Sequence, residues 1–418
     1  MLKNLMNKGV KDVNSIQPLK DTNRLPWIDA ARGIAIFGIF MVNMPAFNAP
    51  YFMYGGEQKY WPSETSNMIQ TIIDIFFQAS FYTLFSFLFG FGLYMMKERL
   101  QEKGYHYRPV LLRRLIVLIA FGAIHAFFIW HGDILFSYGT LGLFLFLFFG
   151  RSPKAVLSWA IGLLTLSVVI LYLRISPYIG MGVLGGYVNE PAIAQAKQAY
   201  GEGSLMEIWE QNLNDWLYSN GSLMSWIFLA GSLIPMFLFG LYFAKKKWLH
   251  DPDQFGKPLT VTWGITLALF VVFKAGPHFF EIPEWFKIVT QDSIGGSASA
   301  LFYMTSVVLL YKKRSTFTTL LKPFTFVGRL SLSNYLLQSI ICFFMFYSVG
   351  LGFYGEVSPL ATLILVLVIY SLQVIASRLW IRSFRYGPFE WLWRSLTYMS
   401  LQPMRRSKER EGKASYET

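Results

Sequence analysis

RRLIVLIAFGAIHAFFIWHGDILFSYG, residues 113–139, indicates the architecture of this protein more clearly than any other part of the chain. Two arginines precede an unbroken apolar run, a His-Gly-Asp turn follows it, and a second apolar run then begins. A helix of about 20 apolar residues crosses the ~30 Å hydrocarbon core of a lipid bilayer. This part of the sequence therefore predicts two membrane-spanning helices joined by a tight polar turn.

The same pattern recurs along the whole chain. Hydrophobic residues make up 54% of the 418 residues and charged residues only 15%, whereas a soluble domain is about one-quarter charged. The sequence therefore predicts an all-α fold, a polytopic transmembrane helical bundle of about ten helices, and excludes a disulfide-stabilised secreted protein and a simple soluble enzyme. The predicted spans are 27–47, 71–96, 110–131, 133–150, 155–174, 222–244, 259–276, 293–311, 325–349 and 359–382.

The segments between the spans divide the chain. The second apolar stretch is long for one span, so it predicts either a single helix or a short interfacial helix around Ser66–Gln78 followed by the true span. The predicted organisation is a cytoplasmic N-terminal segment 1–26, helices 1–5 in 27–175, an outer loop 176–220 with an amphipathic helix, helices 6–10 in 221–383, an interfacial cytoplasmic helix 384–400 and a disordered basic tail 401–418.

The basic residues predict the orientation. The net charge is +13, and 31 of the 37 Lys and Arg residues share one side of the membrane if both termini are cytoplasmic. Cytoplasmic loops of membrane proteins carry such an excess of Lys and Arg. We therefore expect a multi-pass protein of the cell membrane with cytoplasmic N and C termini, with membrane lipids as partners and no nucleic acid. The flat apolar helix faces also leave room for a homodimer.

Helix 1 carries the first polar stripe. Ionisable groups are costly inside a bilayer, so they mark either a function or a structural ion pair. Asp29 and Arg32 are three residues apart and share a helix face. Arg32 and Asn43 are eleven residues apart, about three turns, and share that face at different depths. The stripe predicts a binding surface, an Asp–Arg pair that neutralises itself, or both.

A second polar group joins helices 3 and 4. Arg114 and His125 are eleven residues apart on one face, Asp133 lies in the outer turn, and Tyr138 follows in helix 4. Histidine can accept and return a proton near neutral pH, and a carboxylate can orient an imidazole. The residues predict a catalytic His125–Asp133 pair. The alternative is that His125 hydrogen-bonds another helix while Asp133 caps helix 4.

Helix 9 carries a third stripe. Ser331, Asn334 and Gln338 follow one another at i, i+3 and i+7, just after Arg329. Polar side chains in this pattern either hold membrane helices together or form the wall of a substrate pocket. The sequence contains no His cluster with metal-ligand spacing, so we expect no metal site.

Five segments of the sequence resemble one family. They are RLPWIDAARGIAIFGIFMVN (24–43), FSFLFGFGL (85–93), the stretch 113–139 quoted above, VGRLSLSNYLLQS (327–339) and YGPFEWLWRSLTY (386–398). Together they look like the YeiB-like family of membrane proteins, domain of unknown function 418. The resemblance covers nearly the whole chain and implies a multi-pass membrane protein of a family described loosely as transport-related.

Helix 1 is also similar to two families of membrane acyltransferases, the O-antigen-acetylating type and the heparan glucosaminide N-acetyltransferase type. Both move an acyl group from cytoplasmic acyl-CoA to an acceptor. Arg32 matches an arginine of the first type, but Asn43 stands where its histidine would be. The second type has Asn there and its histidine in the following loop, near the position of Tyr54. Neither histidine is therefore carried over to this chain.

The resemblance and the polar stripes together predict acyl transfer from cytoplasmic acyl-CoA to a cell-envelope or lipid-linked acceptor, without a covalently bound cofactor. We expect Arg113 and Arg114 to receive the phosphates and His125, oriented by Asp133, to act as general base. The predicted substrate-binding residues are Asp29, Arg32, Asn43, Arg113, Arg114, Tyr138, Arg329, Asn334 and Gln338. One alternative is a transporter or lipid-handling protein with His125 and Asp133 as a proton relay. Another is a structural or sensory membrane protein.

Overall fold

A computed structural model describes residues 24–181, 188–312 and 316–406. Within these residues, eight helical segments are long and apolar enough to cross a membrane, or nine if one bent helix pair counts as a span. The predicted class, an all-α polytopic bundle, is confirmed. The predicted segment 1–26 and the predicted disordered tail 401–418 lie largely outside the described residues.

The helices follow one another along the whole described chain. Their bounds are α1 Pro26–Asn48, α2 Tyr51–Tyr54, α3 Glu57–Tyr60, α4 Glu64–Phe76, α5 Ser80–Glu102, α6 Tyr107–Phe128, α7 Leu135–Gly142, α8 Pro153–Ile175, α9 Glu190–Gly201, α10 Leu205–Asn220, α11 Leu223–Lys245, α12 Gly256–Phe270, α13 Glu284–Thr290, α14 Ser297–Lys312, α15 Thr316–Arg329, α16 Ser331–Phe346, α17 Pro359–Ser383 and α18 Pro388–Tyr398.

Local sequence explains where several long helices begin. The Ser152 and Ser358 side chains accept hydrogen bonds from the backbone N–H groups of Ala155 and Ala361, and a proline follows each serine directly. Serine satisfies a free N–H group of the first helical turn, and proline at the first position needs no hydrogen-bond acceptor. Helices α8 and α17 therefore start at positions that the sequence specifies locally.

Residues 133–150, predicted as a full span, form a shorter and less regular element. The eight residues of α7 continue into the 3₁₀ helix Leu143–Leu147. Beyond it, the Phe149 carbonyl accepts a 2.8 Å hydrogen bond from Nζ of Lys245, the last residue of α11. Because a 3₁₀ helix rises about 2.0 Å per residue instead of 1.5 Å, this segment extends further than an α-helix of equal length.

The predicted ninth span, 325–349, is two helices bent by 78° between Arg329 and Ser331. The Glu390 carboxylate accepts hydrogen bonds from the backbone N–H groups of Leu332 and Ser333, at 2.7 and 3.0 Å. An acceptor at these N–H groups defines a new helix start. A residue of α18, a helix far along the chain, thus caps the helix that begins at the bend.

The long second stretch is also two helices. Helix α4 ends at Phe76 and α5 begins at Ser80, with Ala79 between them in the left-handed conformation at φ 57°. Of the two predicted alternatives, a short helix followed by a span is therefore the one that forms.

Two hydrogen bonds identify the two ends of the bundle. Trp209 of α10 donates to the Phe128 carbonyl at the end of α6, at 3.1 Å. Trp393 of α18 donates to the Arg114 carbonyl near the start of α6, at 2.9 Å. We call the first of these the loop end, where α9 and α10 lie, and the second the basic end, where α18 lies.

Close packing of α1 against α15 depends on two glycines. A Cβ atom at Gly33 would lie 2.0 Å from the Phe324 carbonyl oxygen, and one at Gly328 would lie 1.8 Å from the Asp29 carbonyl oxygen. Such distances are impossible for a side chain, so the two backbones approach as closely as small residues allow in membrane helices. This contact fixes the basic end of α1, where Asp29 and Arg32 lie.

Candidate functional site

The predicted His125–Asp133 pair forms in the structure. Nδ1 of His125 lies 2.8 Å from Oδ1 of Asp133, and both side chains are buried. Oδ2 of Asp133 accepts a 2.7 Å hydrogen bond from the Phe136 N–H group, so the same carboxylate also caps α7. Nε2 of His125 is buried without a hydrogen-bond partner among the described residues. The Asp133 carboxylate therefore does both things that the sequence predicts as alternatives. It orients the His125 imidazole, and it caps the following helix.

Tyr138 binds another helix. Its hydroxyl donates to the Tyr82 carbonyl of α5 at 2.6 Å and lies 2.9 Å from the Ser86 hydroxyl. The side chain is buried beside the ring of Phe237, in a T-shaped contact. In this structure Tyr138 therefore joins α7 to α5.

The helix 1 stripe begins with an ion-pair group. Asp29 pairs with Arg32 at 3.4 Å and with Arg24 at 3.5 Å. The Arg32 side chain keeps 32% of its surface exposed. Asp29 thus neutralises part of the local charge, while Arg32 remains accessible.

Four arginines from four helices approach one another at the basic end. We call Arg32 of α1, Arg99 of α5, Arg114 of α6 and Arg394 of α18 the arginine cluster. Arg99 and Arg114 each repel both Arg32 and Arg394 electrostatically. The acidic groups that attract members of the cluster include Asp29 and Glu102. Repelling guanidinium groups form a site that favours an anion.

Aromatic rings hold two members of the arginine cluster. The Arg114 guanidinium lies 3.6 Å from the centre of the Trp393 ring. Arg394 lies 4.7 Å from the centre of the Tyr386 ring and 5.8 Å from that of Tyr398. Stacking on an aromatic face fixes a guanidinium without using up its positive charge, so these arginines keep their charge for a ligand.

Two other arginines predicted to bind substrate, Arg113 and Arg329, lie outside the arginine cluster. Nη1 of Arg113 lies 3.3 Å from the Met399 sulfur, an exposed contact. Arg329 is the last residue of α15, at the bend before α16. The sequence predicted Arg113 and Arg114 together as a phosphate site, but only Arg114 belongs to the arginine cluster.

The helix 9 stripe contacts the neighbouring α17. Asn334 donates a 3.0 Å hydrogen bond to the Ser377 hydroxyl, and Gln338 donates one of 2.9 Å to the Gln373 side chain. Gln373 in turn donates to the Asn334 carbonyl at 3.0 Å. Of the two predicted alternatives, these contacts match the one in which polar side chains hold helices together.

Asn43 lies at the opposite end of α1 from the arginine cluster and lines a cavity of about 260 Å³. Apolar side chains, among them Val42, Phe52 and Met53, form much of the wall. The polar lining residues are Asn43, His131, Asp215, Ser219 and Tyr354. Apolar walls with a few convergent polar groups are typical of small-molecule sites. Of the predicted substrate-binding residues, only Asn43 borders this cavity.

Asp215 of α10 is the centre of the polar network at this cavity. Its carboxylate accepts hydrogen bonds from Tyr54 at 2.6 Å, Tyr200 at 2.8 Å and Gln211 at 2.6 Å. Nδ1 of His131 lies 3.5 Å from the same carboxylate. Three donors from separate segments hold Asp215 in place beside His131.

The surroundings of His131 favour its neutral form. Burial lowers the pKa of His131 below its usual value, while the nearby Asp215 opposes that decrease. Burial and the adjacent Asp215 carboxylate together raise the pKa of the Tyr54 hydroxyl. The tyrosine thus stays a hydrogen-bond donor, and the imidazole is available to accept a proton.

The pairing of His131 with Asp215 is not among the predictions made from the sequence. His131 falls in the predicted His-Gly-Asp turn, and Asp215 falls in the predicted outer loop 176–220. One signal was present, because Ile208, Gln211, Asn212 and Asp215 fall on one face of α10 and are all buried. An acidic residue on the buried face of an amphipathic helix indicates a partner inside the protein.

A second missed group lies beside α4. Lys274 is fully buried, pairs with Asp292 at 2.7 Å and lies 3.6 Å from Asp74. His278 also contacts Asp74, at 2.9 Å. Lys274 and Asp292 each lie in a π-helical turn, a feature frequent at functional sites. The opposite charges compensate one another, which is the structural role expected of buried ions in a membrane.

The chain is similar to known proteins along most of its length. A family model described as Protein of unknown function (DUF418) matches residues 243–400. The chain is 38% identical over 408 residues to the uncharacterized protein YxaH of Bacillus subtilis, covering 94% of this chain and 98% of that protein. It is 28% identical over 401 residues to the uncharacterized protein YeiB of Escherichia coli, covering 90% and 97%. No solved structure gives a significant match.

The fold and these two polar sites define a multi-pass α-helical membrane protein. By its similarity to YxaH along nearly the full length of both chains, the protein belongs to the YeiB-like DUF418 family.

Proposed function

We propose that this protein transfers an acyl group from an acyl-coenzyme A to a cell-envelope or lipid-linked acceptor. One observation carries the proposal. Helix α1 carries Arg32, which belongs to the arginine cluster at the basic end, and Asn43, which lines the cavity at the loop end. A single helix face therefore connects an anion-binding site with a cavity that contains a histidine.

The arginine cluster supports binding of the coenzyme A phosphates. Guanidinium groups bind phosphate through two parallel hydrogen bonds and remain charged at any physiological pH. Coenzyme A carries a pyrophosphate and a third phosphate, so it needs several cationic groups at one place. Arg32 is accessible, and Arg114 is held by Trp393 with its charge not neutralised by that contact.

The separation of the two sites supports a ligand with a long flexible arm. Arg32 and Asn43 are eleven residues apart, which corresponds to about 16 Å along an α-helix. The extended pantetheine arm of coenzyme A is of comparable length. With the phosphates at Arg32, the thioester reaches the depth of Asn43, whose amide can donate to the thioester carbonyl.

Two His–Asp pairs are candidates for the general base. His125 with Asp133 is the pair that the sequence predicts, and its Nε2 has no partner among the described residues. His131 with Asp215 borders the cavity. Both imidazoles can accept the acceptor's proton, because a carboxylate lies beside Nδ1 of each, at 2.8 Å for His125 and 3.5 Å for His131.

Binding and turnover of acetyl-CoA by the purified full chain in lipid nanodiscs tests this proposal. We expect acetyl-CoA and free coenzyme A to bind with an affinity that falls as ionic strength rises, and pantetheine without the phosphates to bind far more weakly. Release of the coenzyme A thiol, followed with a thiol reagent, measures turnover. A folded protein that binds neither acetyl-CoA nor palmitoyl-CoA would overturn the proposal.

One observation favours a second candidate function, a transporter with His125 and Asp133 as a proton relay. Nε2 of the buried His125 has no hydrogen-bond partner among the described residues, so it can take a proton from a solute while Nδ1 faces Asp133. This function predicts pH-dependent solute flux in vesicles and no release of coenzyme A, so the same thiol assay separates the two functions.

A further inference from the structure

We propose that the loop-end cavity is the acceptor site and that His131, positioned by Asp215, is the catalytic base that activates a hydroxyl group of the acceptor. The inference rests on the proposed acyl transfer and adds the base and the acceptor class. The cavity residues that carry it are Asn43, Trp130, His131 and Asp215.

The geometry matches a base held by a carboxylate. Nδ1 of His131 faces Asp215 at 3.5 Å and the Tyr200 hydroxyl at 3.4 Å. A neutral imidazole with its proton on Nδ1 presents an unprotonated Nε2, the nitrogen that takes a proton in His–Asp catalysis. Because the hydrogen bonds from Tyr54 and Gln211 hold Asp215 as well, the carboxylate orients His131 rather than moving with it.

An unpartnered donor at the same cavity independently indicates a ligand. Trp130 is 3% exposed, and its indole N–H group has no hydrogen-bond partner among the described residues. A buried N–H group without an acceptor costs free energy, and an oxygen atom of a bound acceptor or acyl group would satisfy it. Trp130 stacks on Phe47 with ring centroids 4.0 Å apart, so its position is fixed.

The cavity also indicates the class of acceptor. Its volume of about 260 Å³ is below the ~300–1,000 Å³ of drug-sized pockets, which suits one sugar ring rather than a whole glycolipid. An ammonium group would need a free carboxylate, but Asp215 already accepts hydrogen bonds from Tyr54, Tyr200 and Gln211. The acceptor is therefore a neutral, hydroxyl-bearing group such as a sugar.

The reaction step balances without a further reactant. Nε2 of His131 takes the proton of the acceptor hydroxyl as its oxygen attacks the thioester carbonyl carbon. A C–O bond forms and the C–S bond breaks. The coenzyme A sulfur leaves with the bonding electron pair and receives the proton from His131. The products are an ester and free coenzyme A, and the imidazole returns to its neutral form.

The test compares His131→Gln with His106→Gln, a histidine exposed before α6 and outside the cavity. Acetyl-CoA is the donor and methyl glucoside is the acceptor. We expect His131→Gln to bind acetyl-CoA within about threefold of the wild type, while coenzyme A release falls ~10²-fold or more, the usual effect of losing a general base. His106→Gln should behave like the wild type.

Two outcomes separate this inference from the proposed function. Release that persists at the wild-type rate in a folded His131→Gln protein overturns the inference alone. A wild-type protein that binds no acyl-CoA overturns both.

The positioning role of Asp215 has its own readout. In Asp215→Asn the acidic limb of the pH–rate profile should move to lower pH, because the lost carboxylate no longer favours the imidazolium. An unchanged limb would contradict that role.

Discussion

Asn43 on α1 and His131 in the turn after α6 line one cavity. The resemblance of helix 1 to the O-antigen-acetylating enzymes would place a histidine at the position of Asn43. The structure thus brings a histidine from another segment to the same cavity as Asn43. An imidazole and an amide side chain therefore border the same cavity, although they come from distant parts of the sequence.

Arg114→Gln and Arg113→Gln form a matched pair for the anion site. Arg114 belongs to the arginine cluster, whereas Arg113 contacts the Met399 sulfur. We expect Arg114→Gln to weaken acetyl-CoA binding roughly 10- to 150-fold, because a charge-assisted hydrogen bond contributes roughly 1.5–3 kcal/mol. Arg113→Gln should bind like the wild type in the same calorimetric titration. Equal losses in both variants would assign the effect to general surface charge.

Asn43→Ala and Asn334→Ala should differ in kind. Asn43 lines the cavity, so its loss should reduce coenzyme A release with little change in melting temperature. Asn334 donates to Ser377, so its loss should lower the melting temperature by the equivalent of about 0.6–1.7 kcal/mol. Thermal unfolding and the thiol assay on both variants check this. If Asn334→Ala keeps its melting temperature but releases coenzyme A much more slowly, Asn334 forms part of a substrate pocket, as the other sequence-based alternative predicts.

Asp133→Ala should destabilise the protein more than Asp133→Asn. Asp133 accepts from the Phe136 N–H group and lies 2.8 Å from Nδ1 of His125. Alanine leaves both groups without an acceptor, at a cost of about 1–3 kcal/mol for each buried group, while asparagine keeps one acceptor oxygen. Melting temperatures of the two variants measure the difference.

The thiol assay also distinguishes the two candidate bases. If His125→Gln loses coenzyme A release while His131→Gln remains active, the base is His125 and not His131.

Glu390→Ala should destabilise the bend between α15 and α16. The carboxylate accepts from the backbone of Leu332 and Ser333, and removing a cap costs about 1–2 kcal/mol. Glu390→Gln keeps an acceptor and should be milder. A melting temperature for Glu390→Ala equal to that of the wild type would exclude the capping role.

The effect of Glu390 should also depend on pH. Burial raises the pKa of Glu390 above its usual value, although the hydrogen bonds from Ser333 oppose this. The folded state therefore holds this proton more tightly than the unfolded state. The tighter proton binding stabilises the folded state. This contribution is complete below the unfolded-state pKa and is lost as pH rises through the folded-state pKa. The wild type should accordingly lose stability relative to Glu390→Gln as pH rises from about 4.5.

Gly328→Ala should disrupt the α1–α15 contact, whereas Gly162→Ala should not destabilise the protein. A Cβ atom at Gly328 would lie 1.8 Å from the Asp29 carbonyl oxygen, while one at Gly162 of α8 would meet no atom of the described residues within 4 Å. Alanine favours an open helical position by roughly 0.5–1 kcal/mol over glycine. Detergent thermal melts of the two variants should therefore shift in opposite directions. A neutral Gly328→Ala would show that the helices can separate without cost.

The sequence alone determined the helical membrane class, most of the spans and the His125–Asp133 pair. Each depends on residues near one another in the chain. Apolar runs of membrane length need no tertiary information. His125 and Asp133 are eight residues apart, so a tight turn between two helices brings them together whatever the rest of the bundle does.

Only the tertiary structure decided which polar residues meet across the bundle. The Asp215 carboxylate reaches His131 and Tyr54 because α10 folds over the loop end. The arginine cluster collects one residue from each of four helices. Glu390 caps the helix that begins at the bend in a segment that its own sequence predicts as one span. Helix periodicity tells which face a side chain occupies, but which helix lies opposite depends on packing, and packing depends on the whole chain.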